Sequence, residues 1–304
     1  MTTGERDSPV RAENPLDSTL KLVPSRTILD QVRSAKRAVA ALNFYNAETL
    51  RAHVNAAREL KAPLILQTTE ATIDYLGLGM AVATARAAAE ETGQLVALHL
   101  DHGGTYDLAA RCIDAGYTSV MIDGSKSPFA QNSAITRKVV ELAHAAGVSV
   151  EGELGHVSHN DEASDIARFY TDPEAAARFA GETGVDALAV AVGTAHGFYK
   201  GEVRIDFDRL VQIRDAVGET ALVLHGGSGI QNDLLTRAIE CGIAKINFGT
   251  EIKNAFTLAV KASLSSSEEI DLRKTFLPAI DAVRRISTAK IRVCQRIDTL
   301  DTGI

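Results

Sequence analysis

Short apolar runs alternate along this chain with longer stretches whose apolar residues recur at helical spacing. The runs are VAALNF (39–44), PLILQT (63–68), LVALHL (95–100), TSVMID (118–123), VSVEGE (148–153), ALAVAV (187–192), ALVLHG (221–226) and AKINFG (244–249). Most are apolar on both faces, as strands buried between helices must be. Between them, ETLRAHVNAAREL, YDLAARCIDAG, AITRKVVELAHAAG, DPEAAARFAGETG, DFDRLVQIRDAVG and DLLTRAIECG read as helices, several closed by a C-terminal glycine. Eight strand–helix units with no second composition regime predict an α/β fold, a closed (β/α)8 TIM barrel rather than an open doubly wound sheet. ILDQVRSAKR predicts a short helix ahead of the first strand, with Ser25 or Thr27 as N-cap. Residues 250–292 predict extra C-terminal helices, with SLSSSEE as a loop. Residues 1–24 form a polar tail carrying three of the seven prolines, leaving 25–304 as a single barrel domain.

Composition narrows the partners. The 304 residues are 45% hydrophobic but only 5% aromatic, without Trp, so Val, Ile, Leu and Ala must fill the core. Net charge is −7 with no basic tract, which argues against nucleic acid or an anionic membrane as a partner. Three cysteines without a CxxC spacing suit a reducing compartment and argue against a disulfide scaffold or a thiolate zinc site. No run approaches the roughly 18–20 apolar residues of a membrane span. The first residues lack the apolar centre of a signal peptide, so a cytoplasmic protein is expected.

The unusual residues fall at one end of the runs. Asn43, Gln67, Asp101 with His102, Asp123, Glu153, His196, His225 and Asn247 each lie at or just past the end of a different run. In a barrel those ends converge on the rim where active sites are built. His102, His196 and His225 are each followed by glycine, which lets the backbone adopt positive φ and approach a ligand. Three converging imidazoles with an open fourth position make a catalytic zinc site; a hydrogen-bonded histidine cluster is the other reading. His53 and His144 lie in helical patterns and His99 inside the third run, positions of surface, satisfied or core residues. LHGGSG (224–229) and NFGT (247–250) each lead from a strand into a helix. Backbone N–H groups of Gly226, Gly227, Ser228 and Thr250 could cradle a phosphate there, or simply form tight turns. Asp101 and His102 would point to opposite faces of a continuing strand, so a turn is needed to bring both to the rim; Asp101 could instead cap a helix. Asp123 and Glu153 end apolar runs, where a carboxylate is costly unless paired or coordinated.

These residues sit in longer strings: HLDHG (99–103), SVMIDGS (119–125), VEGELG (150–155), YTDP (170–173), GVDALAVAVGTAHG (184–197), LVLHGGSG (222–229) and KINFGTEIK (245–253). In these the chain resembles the class II, zinc-dependent ketose-bisphosphate aldolases, specifically the tagatose-/fructose-bisphosphate branch, from about Ala38 to Leu264. The resemblance implies aldol cleavage or condensation of a ketose 1-phosphate or 1,6-bisphosphate, giving dihydroxyacetone phosphate and an aldehyde. It implies Zn2+, or another divalent metal in its place, on His102, His196 and His225, with Asp123 and Glu153 at a second or resting metal position. Asp101 matches the acid/base at the C4 hydroxyl. Gly197, Gly226, Gly227, Ser228, Asn247 and Thr250 match the dihydroxyacetone phosphate site, with Asn43 and Gln67 also substrate-binding candidates. A monovalent cation near the phosphate and a homodimer or homotetramer are family habits. No Schiff-base lysine is implied, and Lys245 reads as a barrel lysine or one of an ion pair. Two stretches depart from the family pattern. In HVSHNDEASD (156–165), Ser158 and His159 stand where two glycines are expected, and Asp161, with Glu162 beside it, aligns with the loop base. Glu70 in QTTEAT (67–72) would repel a second phosphate, which points to an aldehyde other than glyceraldehyde 3-phosphate. The competing readings are a non-catalytic subunit that stabilises an aldolase and a metal-dependent barrel hydrolase.

Overall fold

The computed structural model describes residues 22–157, 169–199 and 201–297. Each apolar run contains a strand: β1 (Val39–Asn43), β2 (Leu64–Thr69), β3 (Val96–Gly103), β4 (Ser119–Ile122), β5 (Ser149–Leu154), β6 (Ala187–Val190), β7 (Ala221–Leu224) and β8 (Ile243–Phe248). The strands close in sequence order into a barrel whose neighbours are all parallel, β8 pairing back onto β1. This is the (β/α)8 barrel that the alternation predicts.

Helix α1 (Ser25–Ser34) precedes the barrel. Around the sheet lie α2 (Ala47–Leu60), α3 (Glu70–Leu76), α4 (Leu78–Thr92), α5 (Tyr106–Ala115), α6 (Phe129–Ala145), α7 (Pro173–Thr183), α8 (Phe207–Val217) and α9 (Asn232–Glu240). The C-terminal segment breaks into α10 (Thr250–Ser266), α11 (Leu272–Thr275) and α12 (Leu277–Gln295). Local sequence sets several boundaries. Asn46 and Thr49 form a reciprocal capping box at α2, Thr105 caps α5, and Asp172 caps α7 ahead of Pro173. Gly93, Gly116 and Gly184 end α4, α5 and α7 in the left-handed conformation. The expected cap of α1 is corrected. Pro24 occupies the N-cap without a side-chain bond, and the Ser25 hydroxyl instead reaches Ser119 of β4 at 2.9 Å.

Alternation along the strands separates two apolar layers. Leu42, Leu66, Leu98, Val120, Val150, Leu188, Leu222 and Ile246 pack outward into the helical layer. Val39, Ala41, Ile65, Ala97, Ala187, Ala189, Ala221 and Val223 pack with Ile28, Leu29 and Val32 of α1. Helix α1 thus plugs the N-terminal floor of the barrel, and small alanines make room for it. The interior also holds His99, Ser119, Glu151 and Lys245, all at most 2% exposed. Among the described residues, no helix is long and apolar enough to cross a membrane.

Candidate active site

The rim is assembled around an irregularity in β3. Pairing with β4 shifts register between Leu100 and Gly103, and His102 takes a left-handed φ of 53°. That kink delivers both Asp101 and His102 to the cluster, which a regular strand would not. Gly103 permits it, since a Cβ there would lie 2.5 Å from the Met121 carbonyl oxygen.

The three histidines converge. Ring centroids are 4.9 Å apart for His102 and His196, 4.6 Å for His102 and His225, and 5.8 Å for His196 and His225. One ring nitrogen from each lies within 4.8 Å of the other two. Two of the rings are oriented from behind by carboxylates. His102 Nδ1 lies 2.8 Å from Asp123 Oδ2, and His225 Nε2 lies 2.8 Å from Glu151 Oε1. A carboxylate only accepts, so in a neutral ring each of these nitrogens carries the proton. The remaining nitrogens, His102 Nε2 and His225 Nδ1, are then both lone pairs, and they face each other at 2.9 Å. Two lone pairs that close require a cation between them, either a proton or a metal. Without metal, the proton resides on His102. Burial opposes its charge, but the hydrogen bond to Asp123 and the charges of Asp101, Glu153 and Asp123 raise its pKa to about 9. Burial, then the charges of His102 and Lys245, hold His225 well below the ordinary imidazole range.

Glu153 adds a second sign of a cation site. Its Oε2 is buried without a hydrogen-bond partner, 3.9 Å from both His102 Nδ1 and His225 Nδ1. Burial and then the charge of Asp123 push its pKa to about 8. His102, Asp123 and Glu153 form an overlapping ligand group. Three imidazoles, two of them backed by hydrogen-bonded carboxylates, are a donor set suited to zinc or another divalent ion.

The carboxamides predicted at the rim turn towards Asp101. Asn43 Nδ2 donates to Asp101 Oδ2 at 2.9 Å, Gln67 Nε2 to the same oxygen at 3.3 Å, and Asn247 Nδ2 to Asp101 Oδ1 at 3.2 Å. Gln67 also donates to Asn43 Oδ1 at 2.9 Å. Burial works against the Asp101 carboxylate, but the charges of His102 and Lys245 and the Asn43 hydrogen bond keep its pKa below the usual value.

Opposite lies the glycine-rich wall. Gly226 and Gly197 have φ of 72° and 97°, and a Cβ on Gly226 would collide with the Ala195 carbonyl. Gly227 differs from expectation, because its N–H donates to Asn247 O at 3.0 Å and is spent within the protein. A Cβ there would lie 2.6 Å from Ile246, so its glycine serves close packing. Ser228 Oγ accepts from the N–H of Gly249 and Glu251, leaving its own proton to donate, and Thr250 opens α10. The Tyr199 hydroxyl pins the His196 loop, accepting from Ala195 N–H and donating to Gly226 O at 2.8 Å.

His156 Nδ1 lies 3.3 Å from Ser125 Oγ at the edge of this rim. Asp161, Glu162 and His159 fall outside the described residues, as does the tail before residue 22. Glu70 is exposed at the first position of α3, directly after β2. Sequence reasoning passed over Glu151 and Tyr199. Glu151 had a signal: in VSVEGE it shares the alternating face of Glu153, so both carboxylates point into the barrel. Lys245 pairs with Glu151 at 2.8 Å, as its ion-pair reading requires. A cavity of about 790 Å³ lies between α1 and the ends of α7, α8 and α9, and His102, His196 and His225 do not line it. It mixes Arg26, Arg33 and Arg214 with Asp186, Glu219 and Glu240, and no reactive set converges there.

The family model described as fructose-bisphosphate aldolase class-II matches residues 23–299. Among solved structures, the YdjI aldolase of Escherichia coli K12 is 31% identical, with a TM-score of 0.79 over 90% of this chain and 97% of that one. A Coccidioides immitis protein provisionally assigned as a fructose-1,6-bisphosphate aldolase is 26% identical, with a TM-score of 0.81 over 92% and 97%. Fructose-bisphosphate aldolase of Campylobacter jejuni, at 22% identity and a TM-score of 0.77 over 93% and 98%, shares the fold.

Proposed function

The chain belongs to the class II fructose-bisphosphate aldolase family, and from that premise we propose a divalent-metal-dependent lyase that cleaves and forms a ketose 1-phosphate or 1,6-bisphosphate. Its products are dihydroxyacetone phosphate and an aldehyde. The observation that carries this reading is the pair of opposed lone pairs on His102 Nε2 and His225 Nδ1 beside Asp101. His102, His196 and His225 would hold the ion, zinc by donor type, with Asp123 and Glu153 as alternative ligands. When bound, the ion supplies Lewis-acid polarisation of the ketone at C2.

The protein's own groups then have distinct tasks. Asp101, kept ionised by its carboxamides and neighbouring cations, takes the C4 hydroxyl proton as the C3–C4 bond breaks. The bonding pair delocalises towards C2, and the aldehyde carrying C4 departs. Asp161, or Glu162 beside it, returns a proton to C3, which completes dihydroxyacetone phosphate. Gly197, Gly226 and Thr250 N–H groups and the Ser228 hydroxyl bind its phosphate, aided by the N-terminus of α10. A monovalent cation beside that phosphate is tested by comparing rates in potassium and choline salts.

Glu70 bears on the other product. A carboxylate exposed directly after β2 disfavours a second phosphate there, so we assign a non-phosphorylated aldehyde. Rates with fructose 1,6-bisphosphate, tagatose 1,6-bisphosphate and ketose 1-phosphates decide this; a clear preference for either bisphosphate refutes it. We also propose a cytoplasmic homodimer or homotetramer, supported by free Cys112, Cys241 and Cys294 and by exposed Leu258, Leu264, Ile270, Leu272 and Leu277 on the C-terminal segment. Light scattering measures that state. The central test is dihydroxyacetone phosphate release by metal-loaded protein beside a chelated control. Full activity after complete metal removal would sink the metal-dependent reading.

A further inference from the structure

One set of buried polar groups is not used by the chemistry above. It runs down the barrel from the metal cluster to the floor. His225 Nε2 lies 2.8 Å from Glu151 Oε1, and Glu151 Oε2 accepts from Lys245 Nζ at 2.8 Å. His99 Nε2 is 3.5 Å from Lys245 Nζ and 3.6 Å from Glu151 Oε2. His99 Nδ1 is 2.7 Å from Ser119 Oγ, and Ser119 Oγ is 2.9 Å from Ser25 Oγ, in the first turn of α1. None of these six residues is more than 4% exposed, so water does not compete for their hydrogen bonds.

The protons along this chain can be assigned. Burial and then the charge of Lys245 keep His99 neutral. Its Nε2 faces an ammonium, so that nitrogen bears the lone pair and Nδ1–H donates to Ser119 Oγ. Ser119 and Ser25 share the next hydrogen bond, in which either hydroxyl can donate. At the upper end, Lys245 occupies one Glu151 oxygen, and the other accepts the His225 proton. This direction fixes His225 with its Nδ1 lone pair aimed at the cluster. Were the His99 tautomer reversed, a protonated Nε2 would face the buried Lys245 ammonium, which is costly.

Resting on the reading of His225 as a metal ligand, we propose that His99 and Ser119 are positioning residues of the metal centre. They act through Lys245 and Glu151 to set the tautomer and orientation of His225. Ser25 makes α1, the helix that plugs the floor, part of the same device. Direct hydrogen-bond partners of metal ligands typically change metal affinity about 10- to 100-fold, so a partner further back should change it by about fivefold.

The test uses the full chain, stripped of metal and reloaded. Zn2+ affinity is measured by competition with a chromophoric chelator, and Co2+ absorption reports ligand geometry. Ser119→Ala should raise the zinc Kd about fivefold and alter the cobalt spectrum, while Ser119→Thr, which keeps a hydroxyl, should restore both. In a Glu151→Gln background, which breaks the route to His225, Ser119→Ala should have no further effect. Unchanged Kd and spectrum in folded Ser119→Ala overturn the proposal, as does an equal loss in the Glu151→Gln background. Should Glu151→Gln not fold, the Ser119 Ala/Thr pair decides alone. A wild-type protein that binds no zinc would overturn the metal reading itself, which is a separable result.

Discussion

Asp101 receives hydrogen bonds from three carboxamides on three different strands, a costly concentration of buried polar groups unless the charge is needed. The acid/base role proposed for Asp101 requires it to be ionised before substrate arrives and to accept a proton only in the transition state. Replacing Asp101 with Asn removes the acceptor and keeps the shape. We expect kcat to fall about 10²- to 10⁴-fold in the coupled dihydroxyacetone phosphate assay. Zinc content should be retained, since His102, His196 and His225 are untouched. Asn43→Ala is more specific to protonation. Its amide stabilises the carboxylate, so its loss raises the Asp101 pKa. A step that needs the carboxylate then begins at higher pH, and the acid limb of the kcat/KM profile should move up. An unmoved limb would mean that Asn43 does not tune Asp101. The rim position of Asn43, Gln67 and Asn247 was legible from the sequence, because each ends an apolar run. Their common partner was not, since it depends on register: Asn43 lies level with Gln67, whereas Asp101 lies level with Thr69.

At the scale of elements, α2 supports this site from outside the barrel. Its His53 is fully buried, with Nε2 3.1 Å from the Asn43 carbonyl oxygen and Nδ1 2.8 Å from Ser287 Oγ of α12. Burial lowers its pKa from 6.5 to about 4, against a smaller opposing pull from the Asn43 hydrogen bond. The folded protein therefore resists a proton that the unfolded chain accepts. Below pH 6.5 the unfolded state binds more protons, so stability falls with pH and the loss is complete near pH 4. This term is present in full above pH 6.5 and amounts to about 3 kcal/mol. Denaturant unfolding of metal-free protein across that window should be steeper in pH for wild type than for His53→Gln. Equal slopes would remove His53 from the account. The sequence predicted the strands because their apolar runs are long. The kink of β3 was foreseen only as a need, since nothing in HLDHG states that His102 will take a positive φ. The start of α1 was misread for a related reason. Ser25 looks like a cap locally, but Ser119 on a distant strand claims its hydroxyl.

Over the whole molecule, the proposed metal position draws on five consecutive strands and their loops. His102 comes from β3, Asp123 follows β4, Glu153 comes from β5, His196 follows β6 and His225 follows β7. Eight apolar runs were enough to predict the barrel, but not that its interior would carry a polar chain from floor to rim. The amphipathic pattern of α1 does not say which surface it covers. A cation at the rim is expected to tie together elements that otherwise meet only through the sheet. It also neutralises a cluster in which Asp101, Asp123 and Glu153 stand near one another and Glu153 Oε2 lacks a hydrogen bond. Binding to the folded state alone stabilises it by about 4 kcal/mol when free metal exceeds Kd a thousandfold. Each kcal/mol moves the midpoint of a chain of this size by roughly 2 °C, so zinc should raise the thermal midpoint by about 8 °C. The gain should depend on zinc concentration and vanish in excess chelator. His225→Ala should abolish it while leaving a folded barrel, because only one ligand side chain is lost. A thermal midpoint indifferent to zinc in the wild-type protein would mean that the three histidines form a hydrogen-bonded cluster and not a metal site.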